Sequence, residues 1–239
     1  MRPAAKARAA AVTENGVREA SRARSLLADW LGDTAPQDFV ARSLGREPVA
    51  RPGRARGAID RFGWETLDPL LAVPALDVLV VRGGREQPAP RPTSAASLRR
   101  LLDDGLGIVV RRAERHDAGL AALAADLARD VPGTVHVQLF VTAGGTHGFG
   151  WHYDAEEVFI VQTAGEKAYY LRRNTVDPPR EPDPGAGARP DFARVREERT
   201  PIATCTLLPG DWLHVPRGWW HVAKARTDSL SISLGVTRA

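Results

Sequence analysis

The stretch "WHYDAEEVFIVQTAGEKAYYL", residues 151–171, decides how this chain is read. His152 and Asp154 stand two positions apart at the head of an apolar, β-branched run, and Lys167 follows thirteen residues after the aspartate. On an extended backbone, side chains two positions apart leave the same face. His152 and Asp154 can therefore reach one ion. A third ligand is available in "PGDWLHVPRGWWHVAKA" (209–225), where a "PRG" turn presents His221, 67 residues after Asp154. Two imidazoles and one carboxylate on one side of an ion form a facial triad that suits non-haem Fe(II) and leaves positions open for exogenous ligands. An open coordination sphere points to catalysis more than to structural support.

The preceding stretch "TVHVQLFV" (134–141) alternates, with Val135, Val137, Leu139 and Val141 on one face and His136, Gln138 and Phe140 on the other. Further short strands are expected at "EVFIVQ", "KAYYLR", "TCTLLP", "DWLHVP", "WWHVAKA" and "SLSISLGV", separated by Gly and Pro. Many short strands joined by turns imply an antiparallel sandwich or barrel. Upstream, apolar spacing predicts helices within 17–33, 34–48, 63–73, 94–105 and 118–131, with strands at 76–81 and 107–112. The expected organisation is an N-terminal helical and mixed segment, 1–104, packing on a β core, 105–239. Residues 1–16 read as an Ala/Arg-rich leader. Residues 174–203 hold six prolines and no apolar period, which suits either a lid or a disordered insertion.

Composition narrows the function classes. The 239 residues are 43% hydrophobic with six tryptophans, enough for a sizeable core. The net charge of +4 rests on 33 cationic side chains, only three of them lysines (Lys6, Lys167, Lys224). The arginines are scattered, so nucleic acid is not an expected partner, and the bias is of the kind a GC-rich genome produces. Cys205 is the only cysteine, which excludes an intramolecular disulfide or a cysteine-rich zinc site and fits a reducing cytoplasm. No run approaches the roughly 20 apolar residues of a membrane span, and the basic N-terminus lacks a signal-type apolar region. A cytoplasmic protein without a membrane partner is expected.

The blocks "HGFGWHYDAEEVFIVQTAGEKAYYL" (147–171) and "LLPGDWLHVPRGWWHVAKARTDSLSISLGV" (207–236) together resemble the JmjC or cupin-type 2-oxoglutarate oxygenases, most closely the ribosomal-oxygenase branch that hydroxylates amino-acid side chains in proteins. The resemblance spans about 105–237 and continues weakly upstream in "DFVARSLGREPV" (38–49). It implies a mainly β fold with N-terminal helices, a double-stranded β-helix of jelly-roll type. It also implies Fe(II) on His152, Asp154 and His221, 2-oxoglutarate as co-substrate with its distal carboxylate on Lys167, and O2. Gln138 and Phe140 stand where related enzymes tend to carry Asn and Tyr, and with Ser231 they are the further candidates for contact with the co-substrate. Trp151 replaces a small residue or Pro before the first ligand, narrowing the entrance. Larger ribosomal oxygenases continue into helical dimerisation and winged-helix regions beyond the point where this sequence stops, so their oligomeric state and ribosomal substrate do not carry over.

The implied activity is hydroxylation of an Arg, His or Asn type residue in a peptide or protein, a natural-product precursor peptide included. A free amino acid or small metabolite is the alternative substrate. A cupin holding Zn(II) or Mn(II), or a silent peptide-binding module, could carry the same triad. His147, Trp151 and Trp219 are candidate substrate contacts. His214, seven residues before His221, is expected to pack or support instead of ligating. Ser229 and Ser233 are expected to face solvent, with Ser231 a polar contact inside the barrel. Glu156 and Glu157, on opposite faces, are expected to be rim or solvent carboxylates.

Overall fold

A computed structural model describes residues 25–175 and 198–237. The expected leader, the first part of the first expected helix and most of the 174–203 segment lie outside the described residues. In chain order the helices are α1 (Leu26–Leu31), α2 (Pro36–Arg42), α3 (Arg56–Ile59), α4 (Trp64–Leu71), α5 (Ala95–Asp103) and α6 (Ala118–Asp130). The strands are β1 (Val49–Arg51), β2 (Asp77–Arg82), β3 (Arg85–Glu86), β4 (Gly107–Arg111), β5 (Thr134–Thr142), β6 (Glu157–Ala164), β7 (Lys167–Arg172), β8 (Ile202–Leu207), β9 (Trp212–Val215), β10 (Trp220–Ala225) and β11 (Ser229–Thr237). None of the described helices is long and apolar enough to cross a membrane.

The strands form an eight-stranded sheet, β1-β9-β6-β11-β5-β4-β2-β3, and a three-stranded sheet, β10-β7-β8, all antiparallel. This is the double-stranded β-helix. β1, β2 and β3, from before residue 104, belong to the same large sheet as the later strands. Alternation then decides which side chain goes where. Val137, Leu139, Val141, Phe159, Val161, Trp212, Leu230, Ile232 and Leu234 join the core under the helices, whereas Val158, Ile160 and Leu213 pack between the sheets with Tyr169 and Leu171. The large sheet is therefore covered on both faces.

Local chemistry holds the helices in place. Asp117 caps α6 by accepting from Leu120 N (2.8 Å), and the apolar residues Leu120, Leu123, Ala124 and Leu127 form its buried stripe. Asp130, at the end of α6, accepts from Leu27 N (2.8 Å) and so serves the free amides at the start of α1. Trp212 of β9 donates from Nε1 to the Trp30 carbonyl (2.9 Å) and lies 5.5 Å from the Trp30 ring. Phe39 of α2 packs its ring against Phe159 of β6 (6.1 Å) and Trp212 (6.5 Å), so the first two helices are clamped onto β9 and β6.

Three expectations are corrected by this architecture. Ser229 and Ser233 do not face solvent: both are buried along with Ser231, because β11 is a central strand whose serine face looks into the space between the sheets. Glu157 is not a rim carboxylate; it is 1% exposed and pairs with His214 (0% exposed) at 2.8 Å, also accepting from Gly45 N at 3.1 Å. Glu156 is half-buried and pairs with His136 at 3.1 Å instead of meeting bulk solvent.

Candidate metal centre

The centre is assembled by backbone pairing. His152 and His221 form an isolated antiparallel bridge, with His152 N donating to the His221 carbonyl (3.1 Å) and His221 N to the His152 carbonyl (2.8 Å). Their rings lie 4.2 Å apart as a result. Gly218, in the turn before β10, donates its N–H to the Asp154 carbonyl at 2.7 Å. Its φ of +79° is a left-handed conformation that suits glycine, so the turn that presents His221 also fixes the aspartate. One ligand atom from each of His152, Asp154 and His221 lies within 4.8 Å of the others. The sequence-predicted triad is brought together.

The donor set fits a divalent ion. His152 Nδ1 lies 2.8 Å from the Gly150 carbonyl and His221 Nδ1 lies 3.1 Å from the Trp219 carbonyl, so each ring spends its N–H on backbone. Each Nε2 is left with a lone pair. Burial, and then the neighbouring His152, hold the His221 pKa down to about 4, which keeps that imidazole neutral at physiological pH. Asp154 Oδ2, 3.5 Å from His221 Nε2, supplies the negative charge. Two imidazoles and a carboxylate are the ligand types of the facial triad.

The triad opens into a cavity of about 70 Å³ between the sheets, walled by Phe140, Phe149, Val158, Ile160 and Ala223. Lys167, the first residue of β7, enters this cavity and is 3% exposed. Its Nζ donates to Ser231 Oγ at 3.1 Å, and Ser231 donates to Gln162 Oε1 at 3.0 Å. Burial alone brings the Lys167 pKa down to about 7. Gly165, φ +70°, allows the chain to turn from β6 into β7 against the Asp228 backbone, where a Cβ has no room.

Among the other sequence-predicted residues, Phe140 and Ser231 line the cavity, but Gln138 does not. Gln138 lines a neighbouring polar groove with Asp77, Arg111, Arg112 and His136. His147 is exposed beside Gly83, and Trp151 and Trp219 are half-buried outside the cavity wall. His214 lies on the helix-facing side of the large sheet, away from the triad. Sequence reasoning missed Tyr169, which lines the cavity with its hydroxyl pushed well above the ordinary tyrosine range by burial. Its alternation parity with Lys167 was the signal available.

Fold and triad together define a metal-binding double-stranded β-helix protein. The chain belongs to the JmjC domain family, whose model matches residues 120–239. It is 33% identical over 100 residues to the bifunctional lysine-specific demethylase and histidyl-hydroxylase NO66 of Drosophila pseudoobscura pseudoobscura, covering 42% of this chain and 10% of that protein. It is 38% identical over 101 residues to ribosomal oxygenase 2 of Bos taurus, covering 41% and 20%. Among solved structures it is similar in fold to YcfD, a ribosomal oxygenase from Escherichia coli in complex with cobalt and 2-oxoglutarate, with a TM-score of 0.63, 20% identity, and coverage of 87% of this chain and 52% of that one. The match therefore spans about half of that solved chain and a fifth or less of these two curated relatives.

Proposed function

We propose that the chain is an Fe(II)- and 2-oxoglutarate-dependent dioxygenase that hydroxylates an amino-acid side chain of a peptide or protein. The observation that carries this reading is one cavity that contains both the convergent His152, Asp154 and His221 atoms and a buried lysine. Among the described residues no carboxylate pairs with Lys167. A buried amine with only a hydroxyl partner is costly unless an anion completes it. A cupin using its metal alone would have no need of that amine.

His152, Asp154 and His221 would hold Fe(II), leaving adjacent positions for exogenous ligands. When bound, the ion and 2-oxoglutarate supply the oxidising chemistry: O2 is split between succinate, formed with loss of CO2, and a substrate C–H bond that becomes C–OH. Lys167 would pair with the far carboxylate of the co-substrate, with Ser231 and Tyr169 beside it. Phe140, Val158, Ile160 and Ala223 keep bulk water from the reacting atoms. The fixed Nδ1 bonds hold both imidazoles in one orientation, so geometry need not be recruited at each turnover.

A protein residue of the Arg, His or Asn type is the proposed target, supported by the similarity to proteins named histidyl-hydroxylase and ribosomal oxygenase. We assign the catalytic unit to 105–239, with the described residues before 105 packing on it and adding β1, β2 and β3 to its large sheet, and a cytoplasmic location. The test is incubation with Fe(II), 2-oxoglutarate and O2, reading succinate formation and the gain of one oxygen atom across peptide libraries. Succinate that requires Lys167 and His152 supports the reading. Metal binding with no dicarboxylate affinity at all would replace it with a cupin of another metal.

A further inference from the structure

Gln162 is fully buried on β6, yet it does not line the metal cavity and no step above uses it. Its amide is pinned, because Nε2 donates to the carbonyls of Ala164 (2.6 Å) and Gly165 (3.4 Å) in the turn into β7. Only Oε1 is left to face Ser231, which donates its hydroxyl proton to it. The opposite amide orientation would set an oxygen against two carbonyls. Having given its proton away, Ser231 offers a lone pair to Lys167 Nζ. The relay runs in one direction and carries no charge.

Among the described residues no carboxylate pairs with the amine either. Lining the cavity with Lys167 are Tyr169 on its own strand, Ser231 on β11, Phe140 and Thr142 on β5, His221 on β10, and His152 and Asp154. On β8, Cys205 pairs with Tyr169 in register and is held as a neutral thiol, its pKa raised to about 11 by burial and then by Asp211. Among the described residues Asp154 is the one carboxylate lining the cavity, and it belongs to the triad.

We propose that Gln162 is a positioning residue for co-substrate capture: acting through Ser231, it presents Lys167 as a buried amine without an internal counter-charge, so that an incoming carboxylate binds together with one solvent proton. This rests on the reading of Lys167 as the anchor of the dicarboxylate. The free amine titrates at about 7, whereas an ion-paired amine holds its proton to higher pH. By linkage, affinity is level in mild acid and falls about tenfold per pH unit above neutrality.

The experiment is calorimetric titration of the Mn(II)-loaded full chain with 2-oxoglutarate at pH 8, in HEPES and in Tris, whose ionisation heats differ, with binding followed from pH 6 to 9. The wild type takes up close to one proton. Lys167→Arg, whose guanidinium stays charged, takes up none and binds with little pH dependence. Gln162→Glu supplies the missing counter-charge, so binding weakens at least tenfold and proton uptake disappears. Gln162→Met frees the Ser231 proton to turn toward the amine, so the fall in affinity moves to lower pH. This second variant decides the matter if the first does not fold. Wild-type binding without proton uptake, or a Gln162→Met profile identical to wild type, overturns this inference alone. No 2-oxoglutarate binding at any pH overturns the function proposed above instead.

Discussion

Two histidine–carboxylate clusters sit on opposite faces of the large sheet, built from nearly adjacent residues. Asp154 and Glu157 are three apart, and His214 and His221 are seven apart. On the helix side, Glu157 and His214 pair directly at 2.8 Å, with Gly45 N on the carboxylate and the rings of Phe39 and Phe159 within 5.1 and 5.0 Å of the imidazole. Between the sheets, His152, Asp154 and His221 converge without forming such a pair: their closest histidine–carboxylate approach is 3.5 Å, and the imidazole N–H groups are spent on backbone carbonyls. One cluster is closed and holds the fold together. The other is held open toward a cavity, as a ligand site must be.

Breaking the closed pair should have the largest effect. Glu157→Leu leaves His214 buried with its carboxylate partner gone and should cost about 3–5 kcal/mol in denaturant unfolding, with metal affinity unchanged. The converse holds for the open cluster. Asp154→Ala or His221→Ala should lower metal affinity by more than about 100-fold by calorimetry while shifting the unfolding midpoint little. A stability loss in the second set as large as in the first would erase the contrast.

Lys167 sharpens it further, since its folded pKa of about 7 lies below the ordinary 10.5. Between those values the unfolded chain binds more protons, so the lysine's contribution to stability improves as pH rises through this window, by at most about 1.4 kcal/mol per pH unit. Below about 7 both states are protonated and the full burial penalty is present. Lys167→Met should therefore stabilise the ligand-free protein near neutral pH and flatten the dependence on alkaline pH in urea titrations. The smallest effect is expected at Gly218, where Ala would enter a left-handed conformation. Gly218→Ala should cost about 1–2 kcal/mol and loosen the tie to Asp154, weakening metal affinity less than tenfold.

Much of this was legible in the sequence, for physical reasons that also explain the failures. Strands β5, β6, β7, β10 and β11 are long enough to show their period, and the HxD spacing with a distal histidine after a turn is local chemistry. The strands at Val49–Arg51 and Arg85–Glu86 are too short to carry a period, and they form because partners at β9 and β2 await them. Alternation placed the serines of β11 on one face correctly but could not say that a second sheet covers that face. Glu157 was misjudged for the same reason: α2 and the loop at Gly45 bury it, and neither leaves a trace in residues 151–171. Gln162 and Tyr169 follow from parity only after the cavity side is known.

One anaerobic titration of the Fe(II)-loaded protein with 2-oxoglutarate, followed by visible absorption with His152→Ala and Lys167→Ala as controls, tests whether one cavity serves both groups. A metal-to-ligand absorption is expected to grow to saturation in the wild type, to be absent in His152→Ala, and to need far more 2-oxoglutarate in Lys167→Ala. Bound metal with no absorption change, or a Lys167→Ala titration that overlays the wild type, would contradict a single cavity serving both ion and dicarboxylate.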